Sequence, residues 1–409
     1  MRILLLTLNY FPELIGIGKY SGEMAEWLAS RGHDVRVITT PPYYPDWRVH
    51  DGFSSSTYKR QRLGPVDVVR CPIWVPRQPT GLKRVINLAS FGATSAPAVL
   101  LHALSFRPDV VGVIKPPVFA LPAALLAARM VGAKAWVHIQ DFEVDVAFDM
   151  GMLKGRCIGQ AALGIESFLL SRFDLASSIS VRMCERLNAK GVAAARIASF
   201  PNWVDTEMIH PQPERSPFRS ELNIGPEKLV ALYSGNMGAK QGLETLVETA
   251  RVVQGDPRIL FVLVGEGALR QQLERMAAGL SNIRFLPLQP ALRLNDLLNL
   301  ADVHLLPQRA DAADLVMPSK LPGMLASGRP VIAGAKPGTQ IATEVEGAGL
   351  VVAPDDGTAM AAALRQLADD PQQRALFGAE ARARARSHWQ RDGILLRLEA
   401  SLRDLTLPP

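Results

Sequence analysis

Two doubly wound, parallel-sheet α/β domains joined by a proline-rich segment are the fold this sequence predicts. Three observations carry it. A chain of 409 residues exceeds what one ordinary hydrophobic core supports. Short runs of β-branched residues and leucine alternate with helix-length stretches through both halves, the pattern of parallel strands covered by helices. Between the halves, residues 200–218, FPNWVDTEMIHPQPERSPF, hold four prolines in polar company.

The first strand is ILLLTL. It is too short for a signal-peptide core and runs directly into Asn9, Tyr10 and Phe11, so it reads as buried sheet. The stretch NYFPELIGIGKYSGEMAEW then carries the chain into a helix from about Ser21 to Arg31. A P-loop is excluded there, because Lys19 is followed by Tyr20 and Glu13 stands where the first glycine belongs. The dinucleotide fingerprint fails too, since Ser21 occupies the place of its third glycine and Gly22 comes one late. Two readings remain open. Gly16, Gly18 and Lys19 form a loop that lets an anionic ligand approach the backbone at a helix N-terminus, or they form a plain turn closing a βα unit.

DVRVIT, VDVVR, DVVGVI and KAWVHI continue the first sheet, with a helix over 119–130. The uncharged run 85–106 is long enough to span a bilayer, yet Asn87, Ser90, Thr94, Ser95, Pro97 and His102 interrupt it, and a buried helix is the reading. LVALYSG, ILFVLVG, NIRFLPL, DVHLLP, RPVIAG and GLVVAP repeat the alternation, with a helix from about Leu243 to Gln254. The tail from about Asp369 to Leu405 is helical, rich in Ala and Arg, and placed to return and brace the first domain. The domains expected are 1–200, a linker at 201–218, 219–385, and a returning helix at 386–409.

Composition excludes several classes. With 48% hydrophobic and 21% charged residues the chain is globular, not disordered. Its three cysteines show no paired or metal-type spacing, which argues for a reducing cytoplasm and against a disulfide framework. Residues 1–205 hold 23 Lys+Arg against 16 Asp+Glu, a balance of +7, and residues 206–409 hold 22 against 23. Between Arg48 and Arg84 lie eight basic residues and two acidic ones, with Phe53 and Trp74 interleaved. That stretch is either a solvated face or a surface for anionic lipid headgroups or a phosphorylated acceptor. No nucleic-acid motif accompanies it.

Several motifs together resemble one family. GIGKYSGEMAEWLASRGHDVRVIT resembles the opening of the GT-B glycosyltransferases of family 4, and FPNWVDTEMIHP resembles their linker with Trp203 in place of a glycine. LYSGNMGAKQGLETLVETA, LVGEGALRQQLE, LADVHLLP, MPSKLPGMLASGRPVIAG and GLVVAPDDGTAMAAAL follow in that family's order. VHIQDFEVDVAF and VMPSKLPGMLASGRPVI are similar to the branch that includes the colanic acid biosynthesis fucosyltransferase. The resemblance implies a GT-B fold, two Rossmann-like domains facing across a cleft. It also implies transfer of a sugar, with fucose from GDP-fucose as an example, from a nucleotide-diphosphate donor to a lipid-linked, undecaprenyl-diphosphate-type glycan acceptor. Retention of anomeric configuration, no bound metal or other cofactor, and work at the inner face of the cytoplasmic membrane follow from it as well.

Cleavage at the anomeric carbon leaves negative charge on the diphosphate, which lysines, arginines and N–H groups must meet where no metal does. Ser319 capping a helix with Lys320 at its positive end fits that demand; the alternative is an ordinary cap with a surface lysine. Gly235, Asn236 and Lys240 occupy the loop after LVALYSG, and Gly265 follows the next strand, completing the expected donor site. The family's glutamate pair is missing: its positions fall at Leu315 and Gly323, with Asp311 or Asp314 as possible substitutes. His138, Asp141 and Glu143, at the carboxyl end of KAWVHI, are the catalytic candidates by resemblance, with Asp141 as the alternative acceptor-side base. A nucleotide-sugar epimerase of the same architecture and an inactive sugar-nucleotide-binding scaffold are the competing readings.

Overall fold

The computed structural model describes residues 1–13, 16–142, 156–238, 241–310 and 318–407. The chain forms two compact units, Met1–Pro201 with Asp392–Pro409, and Asn202–Arg391.

In the first unit the described strands are β1 (Arg2–Thr7), β2 (Asp34–Thr39), β3 (Lys59–Leu63), β4 (Val66–Arg70), β5 (Val110–Lys115), β6 (Lys134–Ile139), β7 (Leu175–Ser178) and β8 (Ile197–Ser199). They make one sheet ordered β3-β4-β2-β1-β5-β6-β7-β8, parallel throughout except for β3 against β4. The winding reverses between β1 and β5, so the carboxyl ends of those strands form the switch point where doubly wound sheets bind ligands. β1 and β5 are almost wholly buried, as parallel strands covered on both faces must be.

Three strands lay outside the sequence reading. β3 is KRQRL, a charged edge strand, and β7 and β8 are LASS and IAS, too short and small-residued to register as apolar runs. The opening helix also starts earlier than expected, at Gly16, and runs to Ser30. Gly16, Gly18 and Lys19 therefore lie in its first turn, not in a loop.

The run 85–106 falls in the helix Gly81–Phe106, which is half-buried and not enclosed. Leu88, Phe91 and Val99 enter the core, while Leu82, Ile86, Leu101 and Leu104 stay exposed. It is the one helix among the described residues long and apolar enough to cross a membrane by length and composition. Of the eight basic residues in 48–84, Arg70 is not on the surface. It is buried, donating to the Thr40 carbonyl at 2.6 Å and the Phe11 carbonyl at 2.5 Å.

The chain's final helix, Arg391–Thr406, serves the first unit from Asp392 onward. Asp392 accepts from the Trp27 indole at 3.1 Å, and Glu399 meets His33 at 2.9 Å and Arg403 at 2.7 Å. Burial alone would raise the Glu399 carboxyl, but its bonds from Arg403 and His33 and the nearby Arg31 hold it down to about 2.

In the second unit the described strands are β9 (Leu229–Ser234), β10 (Ile259–Val264), β11 (Ile283–Leu286), β12 (Val303–Leu306), β13 (Val331–Gly334) and β14 (Gly349–Val352). All pair in parallel, in the order β11-β10-β9-β12-β13-β14. Their winding reverses between β9 and β12. The proline-rich segment is fastened to this unit: Arg382 donates to the Thr206 and Ile209 carbonyls at 2.9 and 2.8 Å, and Trp203 and Val204 are buried.

Candidate functional site

The carboxyl edge of the second sheet gathers most of the expected donor-site residues that are described. Strand β9 is wholly apolar up to Tyr233, which is completely buried near the strand's carboxyl end. Its hydroxyl donates to the Asn236 carbonyl at 2.7 Å and accepts from Lys320 Nζ at 2.8 Å. The Lys320 ammonium also stands 4.1 Å from the centre of the Tyr233 ring. Burial, which disfavours the charged form, pulls the Lys320 ammonium down to about 7. Lys320 makes no ion pair among the described residues.

The glycines here have a defined task. Gly235 and Gly265 hold φ values of +150° and +145°, a region that L side chains rarely adopt. A Cβ on Gly265 would lie 1.9 Å from the Gly235 carbonyl oxygen, and one on Gly235 would meet Lys320 Nζ at 3.2 Å. The two loops after β9 and β10 thus pack backbone on backbone, and Gly265 serves that packing. Met237 N–H to Glu266 O at 2.8 Å and Leu269 N–H to Met237 O at 3.0 Å complete the join, while Arg270 clamps the Gly265 and Leu286 carbonyls at 2.6 and 2.8 Å. Asn236 is exposed at the rim.

The helix after Lys320 is Leu321–Ala326, with Pro322 in its first turn as expected. Its cap position is held by Lys320, not Ser319, and the Lys320 side chain makes no capping bond. Ser319 is exposed. Gly323, at the place of one missing glutamate, lies in that first turn, its absent Cβ facing Leu298 at 3.5 Å. Lys240, Asp311, Asp314 and Leu315 lie outside the described residues.

In the first unit, His138 sits in β6 and is buried, sharing hydrogen bonds with Ser177 Oγ at 3.0 Å through Nδ1 and with Gln140 Nε2 at 3.0 Å through Nε2. The Phe200 ring lies edge-on at 4.9 Å. Burial lowers the His138 imidazole to about 3, so it is neutral, and both nitrogens are committed. His138, a catalytic candidate by resemblance, thus has its side chain in the interior of the sheet. Asp141 is exposed just beyond β6, and Glu143 lies outside the described residues.

In the opening turn, Gly18 is tightly packed. A Cβ on Gly18 would strike the Glu13 carbonyl oxygen at 2.7 Å, so packing against Glu13 requires a glycine there. Gly16, at φ +56°, faces open space, and Lys19 pairs with Glu23 at 3.8 Å. Glu13 is a residue that motif reasoning passed over. It is buried at the switch point, its Oε1 accepts from the Tyr43 and Tyr44 amides at 2.7 and 2.8 Å, and its buried Oε2 has no partner among the described residues. Burial raises its carboxyl, partly offset by those amides.

Residues 16–203 match the family model of the glycosyl transferase 4-like domain, and residues 228–370 match that of glycosyl transferases group 1. The chain is 41% identical to the putative colanic acid biosynthesis glycosyl transferase WcaI of Escherichia coli K12, over 90% of this chain and 92% of that protein. It is 28% identical, over 66% of its length and 71% of the other's, to the GDP-mannose-dependent monoacylated alpha-(1-6)-phosphatidylinositol monomannoside mannosyltransferase of Corynebacterium glutamicum. Among solved structures, Anabaena Alr3699/HepE in complex with UDP-glucose superposes with a TM-score of 0.69 at 18% identity, covering 99% of this chain and all of that one.

Proposed function

The chain belongs to the GT-B glycosyltransferases that pair a glycosyl transferase 4-like domain with a group 1 domain, and from that premise we propose that it builds a colanic-acid-type surface polysaccharide on a lipid-linked acceptor. The proposed donor is a nucleotide-diphosphate sugar with guanine as its base, and GDP-fucose is the first to test. A guanine donor in the mannosyltransferase relative supports the base. The competing epimerase and scaffold readings find no support among relatives that are transferases.

One observation carries the donor side of this reading. Lys320 is half-buried, held by the Tyr233 hydroxyl at 2.8 Å and without an ion pair among the described residues, at the carboxyl edge of the second sheet. An ammonium so placed meets the charge that grows on the diphosphate as the glycosidic bond breaks. Gly235, Asn236, Gly265, Ser319 and Lys240 are proposed to complete the donor site. Asp141 and Glu143 are proposed for the acceptor side, with Gly16 and Lys19 in the opening turn. His138, neutral and doubly hydrogen-bonded, is proposed to fix the strand end from which Asp141 projects. Retention by front-face attack, with the leaving phosphate taking the acceptor proton, needs no further base on the chain.

The test is thermal unfolding in the presence of UDP, ADP and GDP, followed by GDP-sugar turnover with an extract of lipid-linked acceptors. GDP is expected to raise the melting temperature most, by mass action on the folded state. Stabilisation by UDP alone would overturn the choice of base.

The acceptor's lipid places the enzyme on the inner face of the cytoplasmic membrane in this proposal. Lys59, Arg60 and Arg62 are exposed on the edge strand β3, and Trp74 is 44% exposed, whereas Phe53 is occupied by the Lys59 and Arg70 cations. Replacing Lys59, Arg60 and Arg62 with glutamate is expected to reduce sedimentation with vesicles containing anionic phospholipid while GDP binding stays unchanged. Undiminished sedimentation would remove this face from the membrane contact.

A further inference from the structure

A cavity of about 360 Å³ opens in the second unit at the end of the sheet opposite Lys320. Leu229 begins β9, Arg258 directly precedes β10, Asp302 directly precedes β12, Arg329 lies two residues before β13, and all four line the cavity. At about 3.3 Å per residue, the six-residue strands β9 and β10 separate it from the Lys320 edge by roughly 20 Å.

Its lining is basic. Arg215, Arg219, Lys228, Arg258, Arg329 and Arg374 face three carboxylates, those of Glu214, Glu227 and Asp302. Most of these cations are already committed within the fold. Arg258 pairs with Asp256 at 2.7 Å and Asp369 at 2.9 Å, and Lys228 donates to the Pro257 carbonyl at 2.5 Å. Arg374 is held by the Leu367 and Ala368 carbonyls. Arg219 donates to Asp302 Oδ2 at 2.6 Å, an oxygen that also accepts from the Val230 amide at 2.7 Å.

Arg329 stands apart. Among the described residues it has no hydrogen bond and no ion pair, and its Nε is buried without an acceptor. Burial lowers its guanidinium pKa; Asp302 opposes that shift and Arg219 adds to it. Arg329 is half-buried, and a buried Nε–H left without an acceptor is costly; a bound oxyanion offsets that cost by accepting from Nε and a terminal N–H together. We infer that this cavity is a second anion site, shaped for a phosphate or diphosphate group, with Arg329 as its principal ligand and the exposed Arg215 at its mouth. Bound there, the anion ties together the amino ends of β9, β10, β12 and β13. It is separate from the donor site and independent of the activity proposed above.

The experiment uses the full chain and inorganic pyrophosphate, read by thermal unfolding and calorimetry at constant ionic strength set with sodium chloride. In the Lys320→Ala protein, whose donor site is impaired, pyrophosphate is still expected to bind saturably and raise the melting temperature. Adding Arg329→Gln should abolish that shift, and adding Arg215→Glu should weaken affinity by tenfold or more, since it removes one charge-assisted contact, worth about tenfold, and sets a repelling carboxylate in its place. Inorganic phosphate and GDP titrated in parallel distinguish free phosphate from a nucleotide as the source of the group. No saturable binding in Lys320→Ala, or unchanged binding after Arg329→Gln, overturns the site. Should Arg329→Gln fail to fold, unchanged affinity in Arg215→Glu overturns it equally.

Discussion

Lys320→Ala is expected to weaken nucleotide-sugar binding ten- to a hundredfold and to depress turnover further still. A charge-assisted hydrogen bond is worth about 1.5–3 kcal/mol, and each 1.4 kcal/mol is about a factor of ten in affinity. Transfer suffers more than binding because charge accumulates on the departing diphosphate, so the contact strengthens toward the transition state. Tyr233 separates this from a general packing effect. Its hydroxyl both anchors Lys320 at 2.8 Å and pins the Asn236 carbonyl at 2.7 Å. Tyr233→Phe keeps the buried ring and removes only those two bonds, so it should show a smaller loss of the same kind. Calorimetric affinity and turnover measured on both variants decide the point. Near-wild-type values for Lys320→Ala would make it a packing lysine and remove the main support for the donor-site reading.

Strands were legible in this sequence wherever burial on both faces demands continuous apolar runs. ILLLTL, DVRVIT, VDVVR and ILFVLV each fold as strands within a residue or so of where they were read. KRQRL was not legible, because an antiparallel edge strand needs no apolar pattern and its pairing with β4 is a tertiary fact. The glycines of the opening turn point to close approach, but Gly18 meets the backbone of Glu13 and Gly16 faces open space, which spacing alone does not reveal. His138 reads in sequence as a polar residue at a strand end; its burial comes from Ser177 and Phe200, brought in by later parts of the chain. Tyr233 reads as one more core aromatic in an apolar strand. Only Lys320, 87 residues away, turns it into part of a polar site. Arg329 offers no signal at all in sequence, since an arginine beside a strand is ordinarily paired.

Donor affinity is expected to fall as pH rises above 7, and the sign follows from where Lys320 gains and loses its proton. In the free folded protein its ammonium is drawn down to about 7 by burial, whereas an unfolded lysine titrates near 10.4. Between those values the unfolded chain holds a proton that the free folded chain has released, so this group makes stability rise with pH across that window. A bound diphosphate reverses the shift, because an adjacent anion restores the charged form. Binding therefore takes up a proton above pH 7. Affinity should fall by up to about tenfold per pH unit until the pKa of the bound state is reached, and should level off below pH 7. A nucleotide sugar is the proper probe, since its diphosphate is esterified at both ends and does not itself titrate in this range. Calorimetry at pH 8 in buffers of different ionisation enthalpy should register the uptake of close to one proton in the wild type and almost none in Lys320→Ala. A wild-type affinity that stayed flat from pH 7 to 9 would mean that the diphosphate does not contact this ammonium.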